Sequence, residues 1–395
     1  MPAFGLIILL TSIGVLLLFL VLVLLLEICA GCWYGHQDHA IDVLPEKIAV
    51  IVPAHNEAAG VAQVIQAILA ELRPSDRVVV VADNCTDTTF ELAHAQGAEA
   101  IRRDDPARRG KGYAIDFGVR YLSLDPPDVV IVIDADCIAA KGSLMRIAAL
   151  AAARRRPVQA LYEMDLPPQA PTSSELVAAF AWHVKNKVRP LGLHRLGLPC
   201  SLMGTGMAFP WACIAQARLA TAHIVEDLVL GLELTAKGFP PLFCPQALVK
   251  STFPLSVEGQ TTQRARWETG HLNLILHDLP GHLVKAVRTG NGSLAALVVD
   301  CAIPPLAVLV LLILWLMVTS LIVLAVGWSA LPFFISVLCL AIFALSILIA
   351  WHQTFKDQLS LVKLISVPSY IIGKLGIYCR VVIGRQLEWV RTKRD

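Results

Sequence analysis

The sequence is poor in charge. Of 395 residues only 16% are Asp, Glu, Lys or Arg, where about 25% is usual in soluble proteins. It also lacks an excess of either sign, with 33 basic against 31 acidic side chains, so electrostatics gives no support to a nucleic-acid partner. Aromatic residues make up 7% and cysteines number 10, spread too thinly for the disulfide framework of a small secreted domain. Disorder, collagen and coiled coil are excluded by a hydrophobic content of 56%. That content is too high for an ordinary soluble enzyme, while the charged fraction is too high for a chain wholly within a membrane.

The apolar excess is concentrated at the two ends. Leu6–Leu26 carries no charge and is long enough to span a bilayer core, which takes about 20 residues. No Lys or Arg precedes it and its length exceeds a signal-peptide core, so it reads as an anchor. Leu294–Val326 is apolar apart from Asp300, and Leu331–Ala350 is a second uncharged run across the turn Gly327–Pro332. Ser360–Ile383 is apolar too, but Lys363, Lys374 and Arg380 interrupt it, which fits a helix lying in the membrane interface. Basic residues Arg385, Arg391, Lys393 and Arg394 crowd the tail and avoid the Gly327–Pro332 turn. The positive-inside rule then puts the tail and residues 48–288 in the cytoplasm, on a multi-pass protein of the inner or plasma membrane.

Between the apolar ends, from Ile48 to about Tyr162, β-branched runs alternate with helical stretches. Ile48–Val52, Val78–Ala82 and Val129–Ile133 predict βαβ units and an α/β fold with a parallel sheet. The first run ends in Pro53-Ala54-His55-Asn56-Glu57 and the second in Asp83-Asn84-Cys85-Thr86-Asp87. Open α/β sheets bind ligands at this carboxyl edge. The third runs into Asp134-Ala135-Asp136. Two carboxylates so close together repel unless a positive group intervenes, and Mg²⁺ or Mn²⁺ with a diphosphate is a fitting one. Arg108-Arg109-Gly110-Lys111-Gly112 adds glycines for close backbone approach and a point charge for phosphate. Farther on, Glu226-Asp227 opens an amphipathic stretch. In Gln263-Arg264-Ala265-Arg266-Trp267 a helix would put Gln263, Arg266 and Trp267 on one face. Cys29 and Cys32, followed by His36 and His39, are spaced too tightly for a zinc finger and carry no metal assignment.

The order of these motifs resembles family 2 glycosyltransferases of GT-A fold. In particular it resembles the membrane-embedded branch that includes cellulose, hyaluronan and chitooligosaccharide synthases. The resemblance covers about residues 48–271. It implies a GT-A catalytic domain with a mixed, mostly parallel sheet over 46–262, interface helices over 263–290 and flanking membrane helices over 1–28 and 294–350. It further implies that Pro53, Glu57 and Asp83 surround the uridine of a UDP-sugar, that Lys111 and Asp134 lie along the donor, and that Asp136 holds Mg²⁺ or Mn²⁺. Asp227 would be the general base with Glu226 beside it, Gly204 and Thr205 would lie near the acceptor, and Gln263, Arg266 and Trp267 would hold diphosphate and acceptor at the membrane surface. The implied reaction is inverting transfer to a lipid-linked or saccharide acceptor. A processive polysaccharide synthase is the second reading, and an inactive membrane scaffold a third. Val225 stands where synthases often have Thr, Cys85 replaces a usual Ser or Gly, and channel-forming synthases carry more spans. Oligomeric state is not legible.

Overall fold

The computed structural model describes residues 2–33, 44–166, 171–254 and 256–364. The expected basic tail, most of Ser360–Ile383, His36 and His39 lie outside the described residues. The chain forms two compact units. Among the described residues, one comprises 2–33, 171–197 and 298–364; the other comprises 44–166, 198–254 and 256–297.

The second unit is built on an eight-stranded sheet. Its strands are β1 (Ile48–Ala54), β2 (Arg77–Asp83), β3 (Glu99–Arg103), β4 (Val129–Val132), β5 (Ile138–Ala139), β6 (Val158–Asp165), β7 (Met207–Pro210) and β8 (Leu242–Thr252), in the order β3-β2-β1-β4-β7-β6-β8-β5. The pairs β1–β2, β1–β4, β2–β3 and β6–β8 are parallel, whereas β7 runs antiparallel to both β4 and β6. The sheet is therefore mixed and mostly parallel, as the GT-A resemblance implies, where the valine runs alone predict a parallel one. Those runs are apolar on both faces because helices cover both. Ala49, Ile51, Val79, Val81, Val130 and Val132 pack with Ala114, Ile115, Val119 and Leu122 of the helix Lys111–Leu122. Burying each Val, Ile or Leu is worth about 1.5–3 kcal/mol. Gly118 lets that helix sit close: a Cβ there would lie 3.1 Å from the Ile51 side chain.

The first unit holds the helices long and apolar enough to cross a membrane. These are Ala3–Cys32, Leu306–Ala325 and Leu331–Thr354, with mean hydropathies of 3.2, 3.0 and 2.9. The run Leu294–Val326 does not form one helix. Gly292–Ala302 ends first and Leu306–Ala325 begins after Pro304-Pro305, which cannot donate the backbone bonds a continuous helix needs. Asp300, at the end of the shorter helix, is spent inside this unit. Arg189 Nη2 donates to its Oδ1 at 2.6 Å while Arg189 Nε donates to Glu27 Oε2 at 2.6 Å, all three side chains being buried. Removing one member of such a buried group costs about 3–5 kcal/mol because a charge is stranded. The helices meet closely there. A Cβ on Gly31 would lie 2.0 Å from the Val188 carbonyl oxygen, and one on Gly192 2.0 Å from that of Glu27. No disulfide joins the described cysteines, Cys29 and Cys32 among them.

Candidate active site

The carboxyl ends of β1, β2 and β4 converge, as the parallel order requires. The loops after β1 and β2 are stitched together. Asn56, at φ 56°, accepts from the Thr86 N–H at 2.7 Å, the Glu57 N–H donates to Thr89 Oγ1 at 2.8 Å, and His55 Nδ1 lies 2.7 Å from the Asp83 carbonyl. Cys85 joins this net, its Sγ accepting from the Asn56 N–H at 3.3 Å. Asp87 accepts from the Thr89 N–H that opens the next helix. Pro53 pairs in register with Val81 inside the sheet, one strand residue short of the loop.

Asp83 ends β2 with its carboxylate engaged. Arg103 Nη1, from the end of β3, donates to its Oδ1 at 2.5 Å and Asn84 Nδ2 at 2.9 Å. Arg103 also reaches Asp105 at 3.2 Å and stacks 5.3 Å from the Tyr113 ring centre. Burial pushes the Asp83 carboxyl above its ordinary range, against the pull of Arg103. Arg103 escaped the sequence reading because it sits in a short, charged strand without a motif around it.

The acidic cluster lies at the end of β4. Lys111, the first residue of its helix, places Nζ 2.5 Å from Asp134 Oδ1 and 2.9 Å from the Gly204 carbonyl oxygen, to which it donates. Burial alone would lower this lysine, but Asp134, Glu226 and Asp227 together hold it well above the usual range. The chain thus supplies its own cation for Asp134, a charge the sequence reading assigned wholly to a metal. Asp134 is held from behind, its N–H donating to Thr205 Oγ1 at 3.1 Å. Gly204, at φ 86°, faces both charges: a Cβ there would lie 3.3 Å from Lys111 Nζ and 3.4 Å from Asp227 Oδ2. Glu226 and Asp227 occupy the first turn of the helix Glu226–Ala236, where carboxylates complement the helix dipole. So Lys111, Asp134, Gly204, Thr205, Glu226 and Asp227 meet in space from four separate stretches of chain.

Asp134, Asp136 and Cys137 each offer a ligand atom, all within 4.8 Å of one another. The Cys137 thiol donates to Asp136 Oδ1 at 3.4 Å, and burial followed by the two aspartates holds it protonated. A protonated thiol is a poor ligand and carboxylate oxygens are hard ones, so Asp134 and Asp136 would suit Mg²⁺ or Mn²⁺ rather than a soft metal.

Gln263, Arg266 and Trp267 lie on the helix Val257–Asn273, as their spacing implies. Gln263 is buried and its Oε1 has no hydrogen-bond partner among the described residues. The helix reaches the acidic pair through Gly270, where a Cβ would lie 2.8 Å from Val225 Cγ1. Val225, the residue in place of the usual Thr, is therefore part of a packing contact.

Residues 45–270, more than half of the chain, match the family described as "Glycosyltransferase like family 2". The chain belongs to glycosyltransferase family 2. Among curated relatives of this glycosyltransferase, the low-salt glycan biosynthesis hexosyltransferase Agl6 of Haloferax volcanii is 36% identical over 98 residues, 24% of this chain and 22% of that protein. An uncharacterized glycosyltransferase of Mycobacterium tuberculosis is 33% identical over 124 residues, 30% of this chain and 52% of its own length. The chain thus spans about half or less of the curated relatives it matches. Of solved structures, the mannosyltransferase PcManGT from Pyrobaculum calidifontis, in complex with GDP-Man and Mn²⁺, superposes with a TM-score of 0.55. It covers 95% of this chain and 100% of its own at 16% identity, a likeness of fold.

Within the glycosyltransferase domain, burial and the neighbouring Asp227 push the Glu226 carboxyl up to about 8, although Lys111 pulls it down. Glu226 thus keeps its proton at neutral pH and loses it near pH 8. The folded state binds the extra proton between the ordinary carboxyl range and that value, so stability declines as pH rises through this window. Glu226→Gln, permanently neutral, is expected to melt close to wild type at pH 5 and above it at pH 9. Melting temperatures of both proteins across that range test this. A constant difference at all pH values would deny Glu226 the raised affinity for its proton.

Proposed function

We propose that this protein is a membrane-bound inverting glycosyltransferase. It moves a sugar from a nucleotide sugar, UDP-linked, to a lipid-linked or saccharide acceptor in envelope or exopolysaccharide biosynthesis. The reading rests on one observation: the Asp227 carboxylate, Lys111 and Asp134 converge around Gly204. An acceptor hydroxyl bound beside Asp227 would meet a carboxylate able to take its proton. A single base with in-line attack gives inversion at the anomeric carbon, and no second carboxylate need act as nucleophile.

The donor lies along the carboxyl edge. Asp83 and Arg103 offer an acceptor and a donor side by side, the pattern a uracil edge needs. Lys111 and Arg266 are the cations for the diphosphate, and Gln263 and Trp267 hold acceptor and diphosphate. A divalent metal at Asp136 neutralises the leaving diphosphate when bound. The solved neighbour's GDP-Man and Mn²⁺ support a nucleotide-sugar and metal site at this edge. Calorimetric titration with UDP, GDP and their sugars, each with Mn²⁺, decides the nucleotide. Tighter binding of the guanine series would sink the UDP assignment.

The membrane setting favours a lipid-bound acceptor. On the helix Leu279–Thr289, Leu283, Val284 and Val287 are exposed beside exposed Lys285 and Arg288, the composition of a helix lying on an anionic bilayer surface. With the basic tail cytoplasmic, an impermeant thiol reagent applied to intact cells is expected to miss a cysteine tag placed after Asp395. Labelling there would reverse the orientation or require a further crossing within Ser360–Ile383.

A further inference from the structure

Gln159 is wholly buried on β6, and its side chain acts as an extra peptide unit. Its Nε2 donates to the carbonyls of Ala160 at 2.8 Å and Thr205 at 2.9 Å, while Oε1 accepts from the Met203 N–H at 2.8 Å. The need for it comes from the backbone. β6 pairs with β7 only at Val158 and Gln159, because the chain entering β7 turns at Gly204 (φ 86°) and Gly206 (φ 65°). A segment that leaves the ladder strands its own N–H and C=O groups, and buried ones must find partners. Gln159 provides them for both Met203 and Thr205. Neither Leu nor Met, which would fill the same volume, could.

That segment is also a wall of the candidate site. Its Gly204 carbonyl accepts from Lys111, its Thr205 hydroxyl accepts from the Asp134 N–H, and the open side of Gly204 faces Asp227. We propose that Gln159 is a positioning residue for the transfer step. By fixing Met203–Gly206 it holds the Gly204 backbone that accepts from Lys111 and packs against the Asp227 carboxylate, and so keeps both groups in place for the attacking hydroxyl. The proposal rests on the reading of Asp227 as base given above. Gln159 touches no substrate; it acts through the backbone it braces.

Two variants separate positioning from mere packing. Gln159→Met keeps the volume and removes all three hydrogen bonds. Gln159→Glu keeps the length and the acceptor for Met203 but turns an oxygen toward two carbonyls. The probes are UDP-glucose and GDP-mannose with Mn²⁺, hydrolysed with water in the acceptor's place, alongside nucleotide binding by calorimetry. Displacing a reacting group by about 1 Å can cost about 10²-fold, so kcat is expected to fall about 10–100-fold in both variants. Donor KM and nucleotide Kd should weaken by less than kcat falls, since the loops after β1 and β2 do not depend on Gln159 whereas Lys111 does. Hydrogen exchange over residues 200–210 should quicken while β1 and β2 keep their protection. A kcat within about threefold of wild type, affinity falling in step with kcat, or unchanged exchange over 200–210 would each overturn the proposal. If the Met variant fails to fold, Gln159→Asn, one methylene shorter, undergoes the same comparisons. A wild-type protein that binds neither nucleotide nor Mn²⁺ is a different failure, that of the glycosyltransferase reading itself.

Discussion

Asp227→Asn is expected to lower turnover by about 10²–10⁴-fold, the usual worth of a general base. The substitution keeps the size of the side chain. It also keeps an oxygen for the Leu228 N–H, which now donates to Asp227 Oδ1 at 2.9 Å, so the first turn of the helix Glu226–Ala236 should survive. Only proton acceptance is removed. Donor affinity should stay near wild type, because Asp83, Arg103 and the loops after β1 and β2 are untouched. Initial rates with UDP and Mn²⁺ binding measured on the same preparation test the assignment. Wild-type turnover would show that Asp227 is not the base. Loss of nucleotide binding instead would move Asp227 to the donor side.

Asp136→Ala should abolish metal-dependent turnover without unfolding the protein. The sequence argument for a cation was the repulsion between Asp134 and Asp136, and the structure divides that argument in two. Lys111 at 2.5 Å answers the charge of Asp134, while Asp136 accepts from the Cys137 thiol. Under the proposed reading a divalent cation at Asp136 would neutralise the leaving diphosphate. Mn²⁺-dependent binding of UDP should disappear in the variant while its melting temperature without metal stays close to wild type. Full activity in the variant, or full activity of wild type in excess chelator, would mean that Lys111 and Arg266 suffice for the leaving group.

Much of this was legible because it is local. A short β-branched run such as Val78–Ala82 reads as a strand buried on both faces, and such strands alternating with helical stretches predict a parallel sheet covered by helices. The polar residues that follow each run then fall at one edge, which is why Asp83, Asp134 and Asp136 were found. The helical spacing of Gln263, Arg266 and Trp267 and the apolar length of three helices are local in the same sense. Within Leu294–Val326 the helix long enough to span a membrane is Leu306–Ala325, because Pro304-Pro305 separates it from Gly292–Ala302.

The sequence by itself determined which residues become strands, which carboxylates end them, which helices are apolar enough to cross a membrane, and the order of motifs that marks family 2. Tertiary structure alone decided the partners. Lys111 meets Asp134 and Gly204, Arg103 meets Asp83, Gln159 meets Met203 and Thr205, and Glu27 meets Arg189 and Asp300 across separations that no periodicity spans. The physical reason is that periodicity reports which face of an element is buried, and a partner is fixed only when distant elements close on one another. A glutamine inside an apolar strand reads as an exception until the fold bends Met203–Gly206 away from its ladder and leaves two backbone groups that only an amide can satisfy.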